Sequence, residues 1–169
     1  HASDMIGFLK EHTDLEIAAA CYPEKHPESL SIDEDIRFMK IKQDAGCEFF
    51  TTQMFFDNEI FYRYLYKLRS AGVTVPVIAG IMPVTNAKQM ERIISLSQAF
   101  IPRSYVHILD KYGDKPESLK QASIAYTTSQ IIDLLANGVN NIHIYAMNNA
   151  ELAASIQNNL SELIPSCRK

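Results

Sequence analysis

Polar side chains stand at the ends of predicted strands in this chain, where they could contact a ligand. An apolar run that begins at Cys47 ends in Thr51-Thr52-Gln53, and a helix start follows at Asn58. Ligands bind at the carboxyl ends of the strands in parallel α/β sheets and barrels. The Gln53 amide offers one acceptor and two donors, which suits the edge of a heterocycle. It would serve equally well to tie the strand to its loop, so both roles stay open.

The loop after the first predicted strand holds a phenol and an imidazole beside two prolines. Pro23 and Pro27 restrict the backbone around Tyr22 and His26. A histidine held in this way could hydrogen-bond a cofactor, and the tyrosine could stack on a flat ring. Residue types alone favour the alternative, which is an exposed polar loop without a ligand.

A predicted helix carries an acid, two apolar residues and a base on one stripe. Asp35 and Lys42 nearly eclipse along a helix, and Phe38 and Met39 lie between them. The carboxylate and the ammonium could grip a ribose and a phosphate. An amphipathic helix with solvated charges explains the same stripe and is the favoured interpretation on residue types.

Two further segments have both local and ligand-binding interpretations. With Asn86 as N-cap, Gln89 occupies the capping-box position, so capping competes with ligand contact. His143 and Tyr145 are predicted to share one face of the last strand with Met147, where a core histidine is the alternative to a site. The Asn-Asn pair that follows, at 148–149, indicates a helix start more often than a site.

Composition excludes several classes of function. The net charge of −4 and the pI near 5.7 argue against nucleic-acid binding. No apolar run approaches the ~20 residues of a membrane span. Cys21, Cys47 and Cys167 lack metal-ligand spacing, which predicts reduced thiols in a cytoplasmic protein and no metal. No glycine-rich phosphate loop or Ser-His-Asp order is found in the sequence.

The hydrophobic pattern predicts one α/β domain over residues 1–169. Strands are expected near 15–22, 47–53, 75–81 and 141–146, with one helix before the first strand, one after each of the first two, three helices before the last strand and one after it. Helix starts are predicted at Ser3 or Asp4, Asp33, Asn58 and Asn86. Strands separated by helices pair in parallel through right-handed crossovers.

Five segments in order give the chain a specific resemblance to a known family. They are Ala19–Glu28, Lys42–Gly46, Thr52–Asp57, Gly80–Gln89 and Gly138–Asn148. Their sequences and spacing resemble methylenetetrahydrofolate reductase over essentially the whole chain. The resemblance implies a parallel (β/α)8 TIM barrel, of which this chain would supply about the last four β/α units.

The same resemblance implies a flavin enzyme of folate metabolism. FAD would bind without a covalent bond at the strand ends, NADH or NADPH would reduce it, and methylenetetrahydrofolate would then take the hydride to become methyltetrahydrofolate. A homo-oligomer is expected. Matched position by position, the flavin would contact Ala2, Tyr22, His26, Asp35 and Lys42. The folate would contact Gln53, Gln89, Tyr145 and Asn149.

Two departures from the family qualify this expectation. Many members carry Arg where this chain has Asn149, so Lys88 or Arg92 would have to meet the charged folate tail. The acidic catalytic residues of the family fall on earlier strands, so they are expected upstream of His1. The chain is therefore expected to be a fragment that needs the N-terminal half of the barrel. The alternative is a non-catalytic flavin- or pterin-binding half-barrel that assembles with another chain.

Overall fold

Helices and strands alternate through most of the chain. The computed structural model describes residues 2–97 and 99–166. Its elements are α1 (Ala2–His12), β1 (Ala18–Cys21), α2 (Ile32–Asp44), β2 (Phe49–Thr52), α3 (Asn58–Ser70), β3 (Val77–Ile81), α4 (Ala87–Ser97), α5 (Arg103–Tyr112), α6 (Pro116–Ala136), β4 (Ile142–Ile144), α7 (Ala150–Asn159) and α8 (Leu163–Ser166). The predicted order is confirmed, and α8 is an addition that its single turn made hard to see.

The four strands form one sheet in the order β1-β2-β3-β4. β1 pairs in parallel with β2, with Ala18 opposite Phe49, and β2 pairs in parallel with β3, with Phe50 opposite Val77. The Tyr145 N–H donates to the Ile81 carbonyl at 2.8 Å, just beyond β4. The predicted parallel α/β class is therefore confirmed, and all four strands are shorter than predicted.

The chain divides into two compact units, and the expectation of one domain stays a prediction. The first unit runs from His1 to Gln53 and includes Glu59–Ala79, and the second comprises Met54–Asn58 and Gly80–Lys169. Large buried side chains of the first unit are Ile36, Met39, Phe50, Phe61, Tyr64 and Leu68. The core cluster of the second unit is Phe56, Met82, Val84, Met90, Ile93, Ala99 and Tyr105.

Helix starts differ slightly from the sequence prediction. Ser31, rather than Asp33, caps α2, because its hydroxyl accepts the Glu34 N–H at 3.1 Å. Asp33 lies in the first turn, where its negative charge still suits the helix dipole. Ser3 and Asp4 lie within the first turn of α1. The predicted starts at Asn58 and Asn86 are confirmed within one residue.

Gly46 ends α2 in a backbone conformation that disfavours side chains. Its φ is +110°, and a Cβ there would lie 2.6 Å from Cγ of Lys10. We expect Gly46→Ala to lower the free energy of unfolding by roughly 1–2 kcal/mol. Gly7 in α1 is the matched control, since a Cβ added there would meet nothing within 4 Å. Gly7→Ala should stabilise the protein by about 0.5–1 kcal/mol. Equal effects in urea unfolding would contradict this account.

The two described cysteines are buried and free. Burial raises the pKa of Cys21 to about 12 and also raises the pKa of Cys47. Both side chains therefore act as small apolar groups at neutral pH. Cys167 lies outside the described residues.

The described part of the chain carries neither a membrane-spanning helix nor a cluster of three metal-ligating side chains. None of the helices described combines the length and apolar character needed to cross a bilayer. Within residues 2–97 and 99–166, no three His, Cys, Asp or Glu side chains come together as a metal site.

Candidate functional site

A cavity of about 510 Å³ lies in the first unit, beside the loop that follows β1. It is lined by Ala2, Ser3, Tyr22, His26, Glu28, Ser29, Asp35, Phe38, Met39, Ile41 and Lys42. All five residues predicted to contact the flavin are in this group. The structure thus brings these five residues together. The volume of the cavity is within the range of small-molecule binding sites.

The Asp35 carboxylate anchors the loop to α2. It is only 2% exposed. One oxygen accepts the His26 N–H at 3.2 Å, and the other accepts the Ser29 hydroxyl at 3.4 Å. A carboxylate has about four acceptor positions, so a ligand hydroxyl can still be accommodated. Asp35 therefore positions the loop whether or not it also touches a ligand.

His26 is held in one tautomer. The Glu28 N–H donates to His26 Nδ1 at 3.2 Å, so Nδ1 carries a lone pair and the neutral ring holds its proton on Nε2. The Tyr22 ring meets the imidazole edge-on, with centroids 4.6 Å apart. Burial raises the pKa of Tyr22, so its phenol remains a donor at neutral pH. The loop thus presents two hydrogen-bond donors beside the cavity.

Lys42 places a cation beside the end of β1. Its Nζ donates to the Ala20 carbonyl at 3.2 Å, which fixes the ammonium near the strand end and leaves two further N–H groups. Phe38, Met39 and Ile41 supply an apolar wall to the same cavity. A cation, two donors and an apolar wall suit a ligand that combines a phosphate with a flat ring.

Gln53 lies directly beyond β2 in the first unit. Its backbone N–H donates to the carbonyl of Cys21, the last residue of β1, at 2.7 Å, which extends the pairing with β1 one residue past the end of β2. The residue is partly exposed and is not among those that line the cavity. The predicted position at a strand end is confirmed, and its contact with a folate stays a prediction.

Gln89 and Asn149 both take part in capping the amino ends of helices in the second unit. The Gln89 N–H donates to Asn86 Oδ1 at 2.7 Å, as in a capping box, but Gln89 Oε1 accepts the N–H of Thr85, one residue before the cap, at 3.1 Å. Asn149 Oδ1 accepts the Leu152 N–H at 3.0 Å at the start of α7. Each side chain uses its oxygen locally and could meet a ligand through its amide nitrogen.

Tyr145 follows β4 and packs against the core cluster of the second unit. His143 is exposed within the strand, and its ring lies edge-on to Tyr145 with centroids 4.5 Å apart. The predicted common face with Met147 is wrong. β4 ends at Ile144, and Met147 and Asn148 have φ of +49° and +61°, so strand alternation has already stopped there.

Helix α6 anchors the segment Met54–Asn58, which sequence reasoning missed. The Tyr126 hydroxyl donates to the Phe56 carbonyl at 2.8 Å, and Gln130 Nε2 donates to the Phe55 carbonyl at 3.1 Å. Asn58 Nδ2 donates in turn to the Gln130 carbonyl at 2.9 Å. A signal was present, because Ser123, Thr127 and Gln130 fall at helical spacing on one stripe of α6, between the apolar Leu119 and Leu134.

The hydrogen bond from Gln130 to the Phe55 carbonyl should contribute measurably to the free energy of unfolding. Its side chain is buried, so Gln130→Ala leaves the Phe55 carbonyl without this donor. We expect the free energy of unfolding to fall by about 1–3 kcal/mol. Gln121→Ala, an exposed change on the same helix, is the control and should shift it by less than about 0.5 kcal/mol. Similar urea-unfolding curves for the two variants would contradict the anchoring role.

A second cavity, of about 530 Å³, lies within the second unit and has a different character. Aliphatic side chains of α6, β4 and α7 line most of it, among them Leu135, Ile144 and Ala153. Asn140 and Asn141, which precede β4, are also in its lining. The cavity therefore reaches the amino end of the strand, where barrel residues usually serve stability rather than binding.

A solved structure shares this fold. A protein from Clostridium thermocellum, described as binding two copies of 5-methyl-5,6,7,8-tetrahydrofolic acid, is similar over 95% of this chain and 58% of its own. The TM-score is 0.62 and the sequence identity is 21%, so the likeness concerns the fold. The parallel sheet, its helices and the groups at its strand ends define a chain of the α/β, TIM-barrel type.

Sequence comparison gives the family. The model of the methylenetetrahydrofolate reductase family matches residues 1–161, and the chain belongs to that family. It is 36% identical to the 5,10-methylenetetrahydrofolate reductase of Escherichia coli, over 92% of this chain and 53% of the relative. It is 32% identical to methylenetetrahydrofolate reductase (NADH) 1 of Zea mays, over 85% of this chain and 26% of the relative. The chain thus spans about half the length of the bacterial relative.

Proposed function

We propose that the protein containing this chain reduces 5,10-methylenetetrahydrofolate to 5-methyltetrahydrofolate, with FAD as cofactor and NADH or NADPH as the electron source. Membership of the reductase family supports the reaction. The observation that carries the cofactor is the single cavity containing all five residues matched to flavin contacts. Its donors, cation and apolar wall fit a flavin nucleotide.

The chain's own residues would bind and orient this cofactor. Bound FAD supplies the chemistry of taking a hydride from the nicotinamide and passing it to the folate methylene carbon. The Lys42 ammonium would face a phosphate, because it is the cation in the cavity lining. The Tyr22 phenol and His26 Nε2–H would donate to polar atoms of the flavin. Asp35 would keep their loop in place, and Ala2 would contribute main-chain contact.

The folate would be oriented by polar groups beyond the strands. Gln53 is the principal candidate, since its amide can both donate to and accept from a pterin edge. Gln89 and Asn149 would contribute amide nitrogens, and Tyr145 would line the pocket. A folate ligand is supported by the structural neighbour that binds methyltetrahydrofolate. Lys88 or Arg92 would meet the carboxylates of the substrate tail.

Other parts of the proposal concern the rest of the protein. We propose that the N-terminal half of the barrel supplies the acidic catalytic residues and packs beside β4, the last strand in the sheet order. The aliphatic cavity along β4 and α7 offers apolar surface for that packing. We also propose a homo-oligomer, and a cytoplasmic location that the free Cys21 and Cys47 support.

Anaerobic half-reactions of the natural gene product test this function. The purified protein should be yellow, NADH or NADPH should bleach the flavin, and methylenetetrahydrofolate should restore its colour while methyltetrahydrofolate forms. Bleaching without reoxidation by folate would indicate the alternative, a flavin-binding module without reductase activity. A protein that binds no flavin would refute the proposed cofactor site.

A further inference from the structure

Two large apolar side chains on α2 form an exposed part of the cavity wall. Phe38 is 38% exposed and Ile41 is 41% exposed, and both line the cavity beside the β1 loop. They are three positions apart on one helix, so their side chains are neighbours. Contiguous exposed apolar groups in a cavity indicate a ligand surface more strongly than scattered ones do. The polar contacts of Tyr22, His26 and Lys42 leave this wall without an assigned partner.

Phe38 is already engaged on one side by a cation. The guanidinium carbon of Arg37 lies over the Phe38 ring, 5.8 Å from its centroid. This is within the range of a cation–π contact, which orients the ring. A guanidinium covers only one face of an aromatic ring. The remaining surface of Phe38 is therefore suited to stacking by a flat ligand group.

Lys42 lies one turn further along the same helix. Residues four apart have Cβ atoms about 5–6 Å apart, so the aromatic ring and the ammonium are neighbours on the cavity wall. A nucleotide carries a flat base and a phosphate joined through a sugar, which matches a stacking surface beside a cation. The phenol and imidazole of the β1 loop would remain for the other part of the ligand.

From this arrangement we propose that Phe38 stacks on the adenine ring of FAD and makes the site select FAD over FMN. The inference rests on the proposed function and adds a specificity-determining residue to it. FMN has the same isoalloxazine and one phosphate but lacks the adenylate half. Base–aromatic stacking is tolerant of base type and contributes enough affinity to change binding about 10-fold or more.

Flavin titrations of the full-length apoprotein test the role of Phe38. Binding of FAD and FMN is measured separately by flavin fluorescence for the wild type, Phe38→Ala, Phe38→Leu and Phe38→Tyr. We expect Phe38→Ala to weaken FAD binding about 10-fold and to change FMN binding less than about 2-fold. Phe38→Tyr should retain the preference, and Phe38→Leu, which keeps an apolar side chain without a ring, should lose most of it.

Phe8 provides the matched control, since it is 59% exposed and lies outside the cavity lining. Phe8→Ala should leave both affinities unchanged. An unchanged ratio of FAD to FMN affinity in Phe38→Ala, or an equal loss of both, would overturn the stacking role while the flavin site stands. A wild type that binds neither flavin would overturn the proposed function itself.

Discussion

Gln53→Ala should slow the reoxidation of reduced flavin by methylenetetrahydrofolate about 10- to 100-fold at limiting folate, while flavin reduction by NADH or NADPH changes less than about 3-fold. The range corresponds to leaving polar atoms of the pterin without their partners, at about 1–3 kcal/mol. The readout is flavin absorbance in anaerobic stopped-flow experiments on the natural gene product. The two half-reactions are measured separately because only one of them requires folate.

The structure explains why this substitution should act locally. The Gln53 backbone is fixed by its N–H bond to the Cys21 carbonyl at 2.7 Å, and that bond survives a change of side chain. β2 lies between β1 and β3, so the strand that ends just before Gln53 is supported on both sides. The preceding Thr52 is fully buried and holds the strand end in the core. Loss of the amide should therefore remove a contact without moving the backbone.

Two further variants make the Gln53 experiment specific. Gln121→Ala removes an exposed amide on α6 and should leave both half-reactions unchanged. Gln53→Glu keeps an acceptor but loses the amide donors, so it should also slow the folate step. If the folate and nicotinamide half-reactions slowed equally in Gln53→Ala, the residue would act on the flavin or the fold, and its role toward folate would be wrong.

The succession of elements was predictable because it depends on local chemistry. Apolar runs of strand length, helical spacing between them and glycines such as Gly46 and Gly72, both with positive φ, are visible one segment at a time. Strand ends were less predictable. Residues that follow β4, such as Tyr145 and Met147, alternate in sequence as a strand would, and only the backbone angles, with a φ of +49° at Met147, show that the strand has ended.

The candidate site was predictable only in part. Residue types left Tyr22, His26 and Asp35 with two interpretations each, and the family resemblance was needed to group them. Contacts between distant segments were out of reach, because the bond from Gln130 to the Phe55 carbonyl joins residues 75 positions apart. No local period encodes such a pairing. Gln89 shows the opposite case, since spacing alone offered local capping as one of its two roles, and its N–H does donate to the Asn86 side chain.

Asp35→Ala should weaken FAD binding about 10- to 100-fold, the second large effect expected of this site. The carboxylate accepts hydrogen bonds from the His26 backbone at 3.2 Å and from the Ser29 hydroxyl at 3.4 Å. Its removal leaves those partly buried donors without their acceptor, at about 1–3 kcal/mol. The loop that presents Tyr22 and His26 would then lose its anchor. Flavin fluorescence titration of the full-length apoprotein measures the change.

The control for Asp35 lies on the same helix. Asp33 is exposed and pairs with Lys67 at 2.8 Å, a surface ion pair that contributes about 0–1 kcal/mol. Asp33→Ala should leave FAD affinity unchanged. Asp35→Asn should fall between wild type and alanine, because the amide keeps one acceptor and turns its nitrogen toward a donor. Urea-unfolding curves of these variants show whether a loss of FAD affinity comes from the loop alone or from destabilisation of the whole fold. Wild-type FAD affinity in Asp35→Ala would mean that the loop is held by other contacts, and the carboxylate would have no part in the flavin site.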